Sequence, residues 1–146
     1  MLMETFESNS ESDTYEFAKS LALKSHKGDI YALIGELGVG KTAFTKGFAK
    51  GLGIKESIVS PTFTFVQVYD DGTIPLYHFD VYRIGDISEM DEIGYEDYFY
   101  GDGISIMEWA DLVYELLPKE AVIIKIEKDL SKGVDYRRIT LEDGRK

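Results

Sequence analysis

Eight consecutive residues, Gly35-Glu36-Leu37-Gly38-Val39-Gly40-Lys41-Thr42, restrict what this chain can fold into more than any other stretch, because they match the pattern G-x-x-x-x-G-K-[ST]. Glycines in such a loop let backbone N–H groups turn inward around an anion, and the helix that follows adds the positive end of its dipole. The loop requires a strand before it and a helix after it, and both neighbours are legible. Residues 30–34 read IYALI, a continuous and partly β-branched apolar run of the kind shown by a strand buried on both faces. Residues 41–52 read as a helix that Gly47 and Gly51 weaken locally. Lys41 is therefore expected to pair with the β- and γ-phosphates of a nucleotide and the Thr42 hydroxyl to coordinate magnesium. Glu36, Leu37, Gly38, Val39 and Gly40 would wrap the phosphates.

The rest of the chain alternates. Residues 13–26 read as a helix, with Asp13 and Glu16 spaced as a capping pair. The stretches 60–69 and 73–82 read as strands around the turn Asp70-Asp71-Gly72, pairing antiparallel as a hairpin. An acidic, aromatic helical segment follows at 87–100, then a buried-strand pattern at 104–109 and a short helix ending at Leu117-Pro118. Residues 121–127 and 136–142 read as a closing pair of strands. Strands alternating with helices, with a hairpin inserted, predict an α/β fold, a three-layer P-loop NTPase-type domain around a mixed parallel and antiparallel sheet. At 146 residues one domain, 1–146, is expected.

Composition narrows the function classes. Without cysteine, disulfides, thiolate catalysis and cysteine-based zinc sites are excluded. No window approaches the ~20 apolar residues of a membrane span, and the N-terminus lacks a basic flank, so a cytoplasmic protein without a membrane partner is expected. A net charge of −11 disfavours direct binding of nucleic acid, which depends on clustered cations. The single asparagine, Asn9, does not form the Asn-Lys-x-Asp guanine-reading motif, so ATP is favoured over GTP. Asp91-Glu92-Ile93-Gly94 fits Asp-x-x-Gly but lies within a helical segment, and it is read as accidental.

Hydrolysis needs a carboxylate near the metal and the attacking water. Asp80 follows the apolar run LYHF and Glu108 follows ISIM, so both stand at strand ends, where α/β sheets bind ligands. Their roles divide between metal coordination and water positioning, and spacing does not say which takes which. Ser60, Thr62 and Thr64 follow the loop's helix, either as a phosphate-sensing segment or as polar positions on an edge strand. His78 is two residues before Asp80 and on the same side of the strand, and it is read as structural. Arg83 is read as pairing with nearby carboxylates, and Trp109 as core and a convenient fluorescent reporter. The aromatic side of the acidic segment 86–102 is read as core filling, with a docking face as the alternative.

The blocks GELGVGKT, SPTFTFVQVY, YHFDVYRI, DYF and IMEWAD, in this order and spacing, resemble the TsaE family, formerly YjeE, of bacterial tRNA threonylcarbamoyladenosine biosynthesis ATPases. The resemblance runs from about Asp13 to Leu117 and departs from the family's usual Glu-Trp-Pro at Glu108-Trp109-Ala110. It implies ATP and Mg2+ as cofactors, with metal binding at Thr42 and Glu108 and an essential aspartate at Asp80. It also implies a switch-like segment at Ser60 to Thr62 and adenine contacts near Asn9 to Glu11. The implied function is weak ATP hydrolysis in support of threonylcarbamoylation of adenosine 37 in tRNAs reading codons that begin with A. The implied partners are a TsaD-like transferase subunit and a TsaB-like paralogue, reset by hydrolysis, with tRNA met only through them. Two other classes are compatible with the loop. A small-molecule kinase would need an arginine-bearing lid, yet Arg83 is the only arginine between the loop and residue 136. A non-hydrolysing nucleotide sensor would leave Asp80 and Glu108 structural.

Overall fold

The computed structural model describes residues 2–36, 38–61 and 64–145. Within them lie strands β1 (Leu2–Ser8), β2 (Ile30–Ile34), β3 (Val66–Tyr69), β4 (Leu76–Asp80), β5 (Ile104–Glu108), β6 (Val122–Lys128) and β7 (Arg137–Asp143). The helices are α1 (Glu11–Leu23), α2 (Lys41–Gly51), α3 (Ser88–Glu92) and α4 (Tyr95–Phe99), with 3-10 turns at Ala110–Leu116 and Leu130–Lys132. The strands form one sheet in the order β1-β7-β6-β2-β5-β4-β3. β6, β2, β5 and β4 run parallel, while β3 pairs antiparallel with β4, β7 with β6, and β1 with β7. The mixed sheet and the antiparallel hairpin are as the sequence predicts.

Side-chain alternation divides the core into two layers. On one face, Leu33, Leu76, Ile106, Ile124 and Ile139 pack with Phe44, Phe48 and Ala18 from α1 and α2. On the other, Ala32, Phe79 and Met107 pack with Met90 of α3, Phe99 of α4 and Val113 of the 3-10 turn. The central strand β2 is covered on both sides, which is why its sequence is apolar without alternation. Its neighbour β6 alternates instead, with Val122, Ile124 and Ile126 buried and Lys125 and Glu127 exposed.

Several local expectations are corrected. The first helix begins at Glu11, because Ser10 is its N-cap: Ser10 Oγ accepts from the Asp13 amide at 3.0 Å, and the Asp13 carboxylate accepts from the Asn9 amide at 3.0 Å. The acidic segment is two short helices, since Gly94 adopts a left-handed φ of 71° between them. Its aromatic side fills core, as read: Phe79 meets Tyr98 and Phe99 edge to face at 5.6 and 5.5 Å. Of the strand expected over 60–69, β3 spans Val66–Tyr69; described residues 60, 61, 64 and 65 stand outside it, and 62 and 63 lie outside the described residues. β1 was not anticipated; it carries an exposed Met3 at the sheet edge.

At the sheet end opposite the loop, Arg145 donates to Asp29 and to Asp143, each at 2.7 Å. The hydrogen bond from Arg145 is the main cause holding the Asp143 carboxyl below its ordinary range. A carboxyl lowered in the folded state contributes stability above its unfolded value near pH 4, lost as pH falls through the folded value. Arg145→Ala is expected to cost about 1–2 kcal/mol at pH 7, with the deficit shrinking in unfolding measurements below about pH 4.

Candidate active site

Because β2, β4 and β5 run parallel, their C-terminal ends open on the same side of the sheet, and the loop leaves β2 there. Gly38 and Gly40 take φ values of 80° and 109°, a left-handed backbone open to glycine at little cost. Gly40 hands the chain into α2, and Val39 between the two glycines is buried, pinning the loop to the core. Lys41 is also buried. Its Nζ donates to the carbonyls of Gly35 and Glu36, the second at 3.1 Å, and lies 3.7 Å from the centre of the Trp109 ring. Burial lowers the Lys41 ammonium from the ordinary lysine range, against the opposing pull of Glu108, Asp111 and Asp80.

Asp80 and Glu108 are register partners on neighbouring strands. Asp80 accepts from Ser60 Oγ at 2.8 Å and from the Tyr82 amide at 3.1 Å, which fixes both of its oxygens. Glu108 is only 4% exposed, and its Oε2 lies 2.7 Å from Nε2 of the buried His78. Trp109 follows at a left-handed φ of 62°, so the chain turns sharply into the 3-10 segment that begins at buried Ala110. Its ring packs against Tyr82 at 4.7 Å.

A cavity of about 390 Å3 joins these groups. Its wall includes Gly38, Val39, Gly40, Lys41, Thr42, Ser60, Asp80, Glu108 and Trp109 at the loop end, with Ser10, Glu11, Thr14, Asp135 and Arg137 also contributing. The cavity thus brings together Lys41, Thr42, Asp80, Glu108, Ser60 and Glu11. Exposed Asn9 stands outside the wall, and Glu36 contributes its carbonyl to Lys41 but no lining. Leu37 and Thr62 lie outside the described residues. Arg137 was not anticipated: its Nε donates to Val39 O at 2.9 Å, a contact between residues 98 apart in sequence that only strand pairing creates. Ser10 had a detectable signal as a serine three residues ahead of Asp13 before an apolar helical face.

Thr42, Asp80 and Glu108 present a hydroxyl and two carboxylates to one cavity. Magnesium takes such hard oxygens together with waters and nucleotide phosphates, so the donor set fits it. Among the described residues, no group of three or more His, Asp or Glu side chains is arranged to cage a cation. None of the described helices is long and apolar enough to cross a membrane.

Comparison with known proteins agrees with this architecture. The family model for the threonylcarbamoyl adenosine biosynthesis protein TsaE matches residues 8–139. The tRNA threonylcarbamoyladenosine biosynthesis protein TsaE of Bacillus subtilis is 48% identical over 128 residues, 88% of this chain and 78% of that protein. Its counterpart from Treponema pallidum is 40% identical over 119 residues, 82% of this chain and 87% of that protein. A crystal structure of Bacillus subtilis YdiB matches with a TM-score of 0.83 at 39% identity, over 97% of this chain and 86% of the other. With the family model matching residues 8–139 and two relatives at least 40% identical over more than four fifths of the chain, this chain belongs to the TsaE family.

Proposed function

We propose that this protein is an ATP-hydrolysing accessory of tRNA threonylcarbamoyladenosine biosynthesis. It binds ATP with magnesium in the cavity, turns over slowly alone, and resets a TsaD-like and TsaB-like complex that itself holds the tRNA. The observation that carries this reading is the convergence of the phosphate loop, Asp80 and Glu108 on one cavity in a TsaE-family chain. The loop amides and Lys41 hold the β- and γ-phosphates. Thr42 and Glu108 would hold magnesium, which would offset charge on the phosphates. Asp80, fixed by Ser60 and the Tyr82 amide, faces the attacking water. Water oxygen bonds to the γ-phosphorus as the bond to the β–γ bridging oxygen breaks, leaving ADP and inorganic phosphate. A net charge of −11 suits a protein that meets tRNA only through partners.

The decisive measurement is ATP turnover with and without the two partners and tRNA. Turnover is expected to rise when the partners are added, and threonylcarbamoylation to stop without this chain. Phosphorylation of an added metabolite in step with ATP loss would make the protein a kinase instead. Lys41→Ala is expected to weaken ATP binding about 100-fold in calorimetry, the scale of one or two lost charge-assisted hydrogen bonds. Unchanged binding would remove the loop from the site.

A further inference from the structure

His78 is 1% exposed, and its imidazole touches Glu108, a residue of the cavity wall. Alternation along β4 puts Leu76, His78 and Asp80 on the face that carries α1 and α2, and Glu108 of β5 is on the same face. The 2.7 Å contact from His78 Nε2 to Glu108 Oε2 is the one polar contact of the imidazole, because Nδ1 is buried and unpartnered among the described residues. A carboxylate can only accept, so Nε2 carries the hydrogen of this contact and donates it to Glu108. Buried polar groups are normally satisfied. Here one ring nitrogen goes unpaired while the other is spent wholly on Glu108.

The consequence concerns the second oxygen. With Oε2 held, the Glu108 side chain has one orientation, and Oε1 is the atom left to face the cavity. A glutamate that is free to rotate would lose conformational entropy on meeting a cation; one already held by a buried imidazole loses little. From this geometry we infer that His78 is a positioning residue that orients Glu108 toward the magnesium–nucleotide complex. The inference rests on the proposed reading of Glu108 as a cation contact.

The test compares His78→Gln, His78→Asn and His78→Leu with the parent protein. Two signals are followed as magnesium is titrated with ATP present: partner-stimulated turnover, and fluorescence of Trp109, the sole tryptophan and a wall residue of the cavity. Glutamine places its amide nitrogen where the imidazole Nε2 stands, whereas asparagine reaches only the Nδ1 position. His78→Gln is expected to keep the half-saturating magnesium concentration within about threefold of the parent. His78→Asn and His78→Leu are expected to raise it about 10- to 100-fold in both signals, with magnesium-free ATP affinity unchanged. If asparagine serves as well as glutamine, or leucine as well as histidine, the imidazole only fills space and the inference is overturned. The Asn and Gln pair decides the matter even if the leucine variant does not fold. Glu108→Gln separates the two levels. A magnesium dependence that it leaves unmoved overturns the reading of Glu108 itself, while a shift there with none in His78→Leu overturns only the role of His78.

Discussion

Replacing Asp80 or Glu108 by alanine is expected to lower partner-stimulated ATP turnover roughly 100- to 1,000-fold while ATP affinity falls by no more than about tenfold. The reasoning starts from placement. The two residues close neighbouring parallel strands as register partners, so the sheet fixes where both backbones stand. Each is fixed by a different device: Asp80 by Ser60 and the Tyr82 amide, Glu108 by burial against His78. Preorganised groups of this kind act most strongly where charge develops in the transition state, whereas the loop amides and Lys41 carry most ground-state binding. Turnover and affinity should therefore separate. The double variant is expected to be little worse than either single one, because residues that act as a unit are strongly non-additive. A sensor would give the opposite result, with both variants turning over like the parent. Glu108→Ala also leaves the His78 N–H buried without a partner, so its stability is expected to drop by about 1–3 kcal/mol. Glu108→Gln is the matched control, since its carbonyl still accepts from His78.

The legibility of this chain followed interaction range. The phosphate loop was readable because its chemistry is contiguous, and β2 because a strand covered on both faces must be apolar throughout. Asp80 and Glu108 were readable individually as strand ends, but their side-by-side register was not, since residues 28 apart meet only through sheet order. Arg137 carried no local signal for the same reason. β1 is not legible because this edge strand beside β7 alternates weakly and exposes Met3. Threonine and phenylalanine favour a strand from residue 60, yet among the described residues the ladder begins at Val66, with 62 and 63 outside them. Described Ser60 instead spends its hydroxyl on Asp80 rather than entering a ladder. Along one strand His78 reads as structural, because its partner Glu108 belongs to the next one.

Gly47→Ala is expected to destabilise the fold by about 1–3 kcal/mol, against the roughly 0.5–1 kcal/mol gain that the same change gives in an exposed helix. The sign is decided by where α1 crosses α2. A Cβ at Gly47 would stand 2.1 Å from the Tyr15 carbonyl oxygen and 2.9 Å from its Cα, and backbone atoms cannot rotate aside. One turn on, a Cβ at Gly51 would meet the Lys19 carbonyl oxygen at 2.5 Å and Ala22 Cβ at 2.6 Å. The two glycines that weaken α2 by propensity are thus the ones that let the helices approach, and Gly51→Ala should be destabilising too. The damage reaches the cavity, because α1 and its N-cap supply Glu11, Thr14 and Ser10 to its wall. Pushing α1 outward should therefore weaken ATP binding several-fold as well as lower the unfolding temperature by roughly 3–10 °C. Thermal unfolding with and without ATP reads both at once. A stabilised Gly47→Ala protein would show that helix propensity outweighs the contact, and that α1 yields without cost.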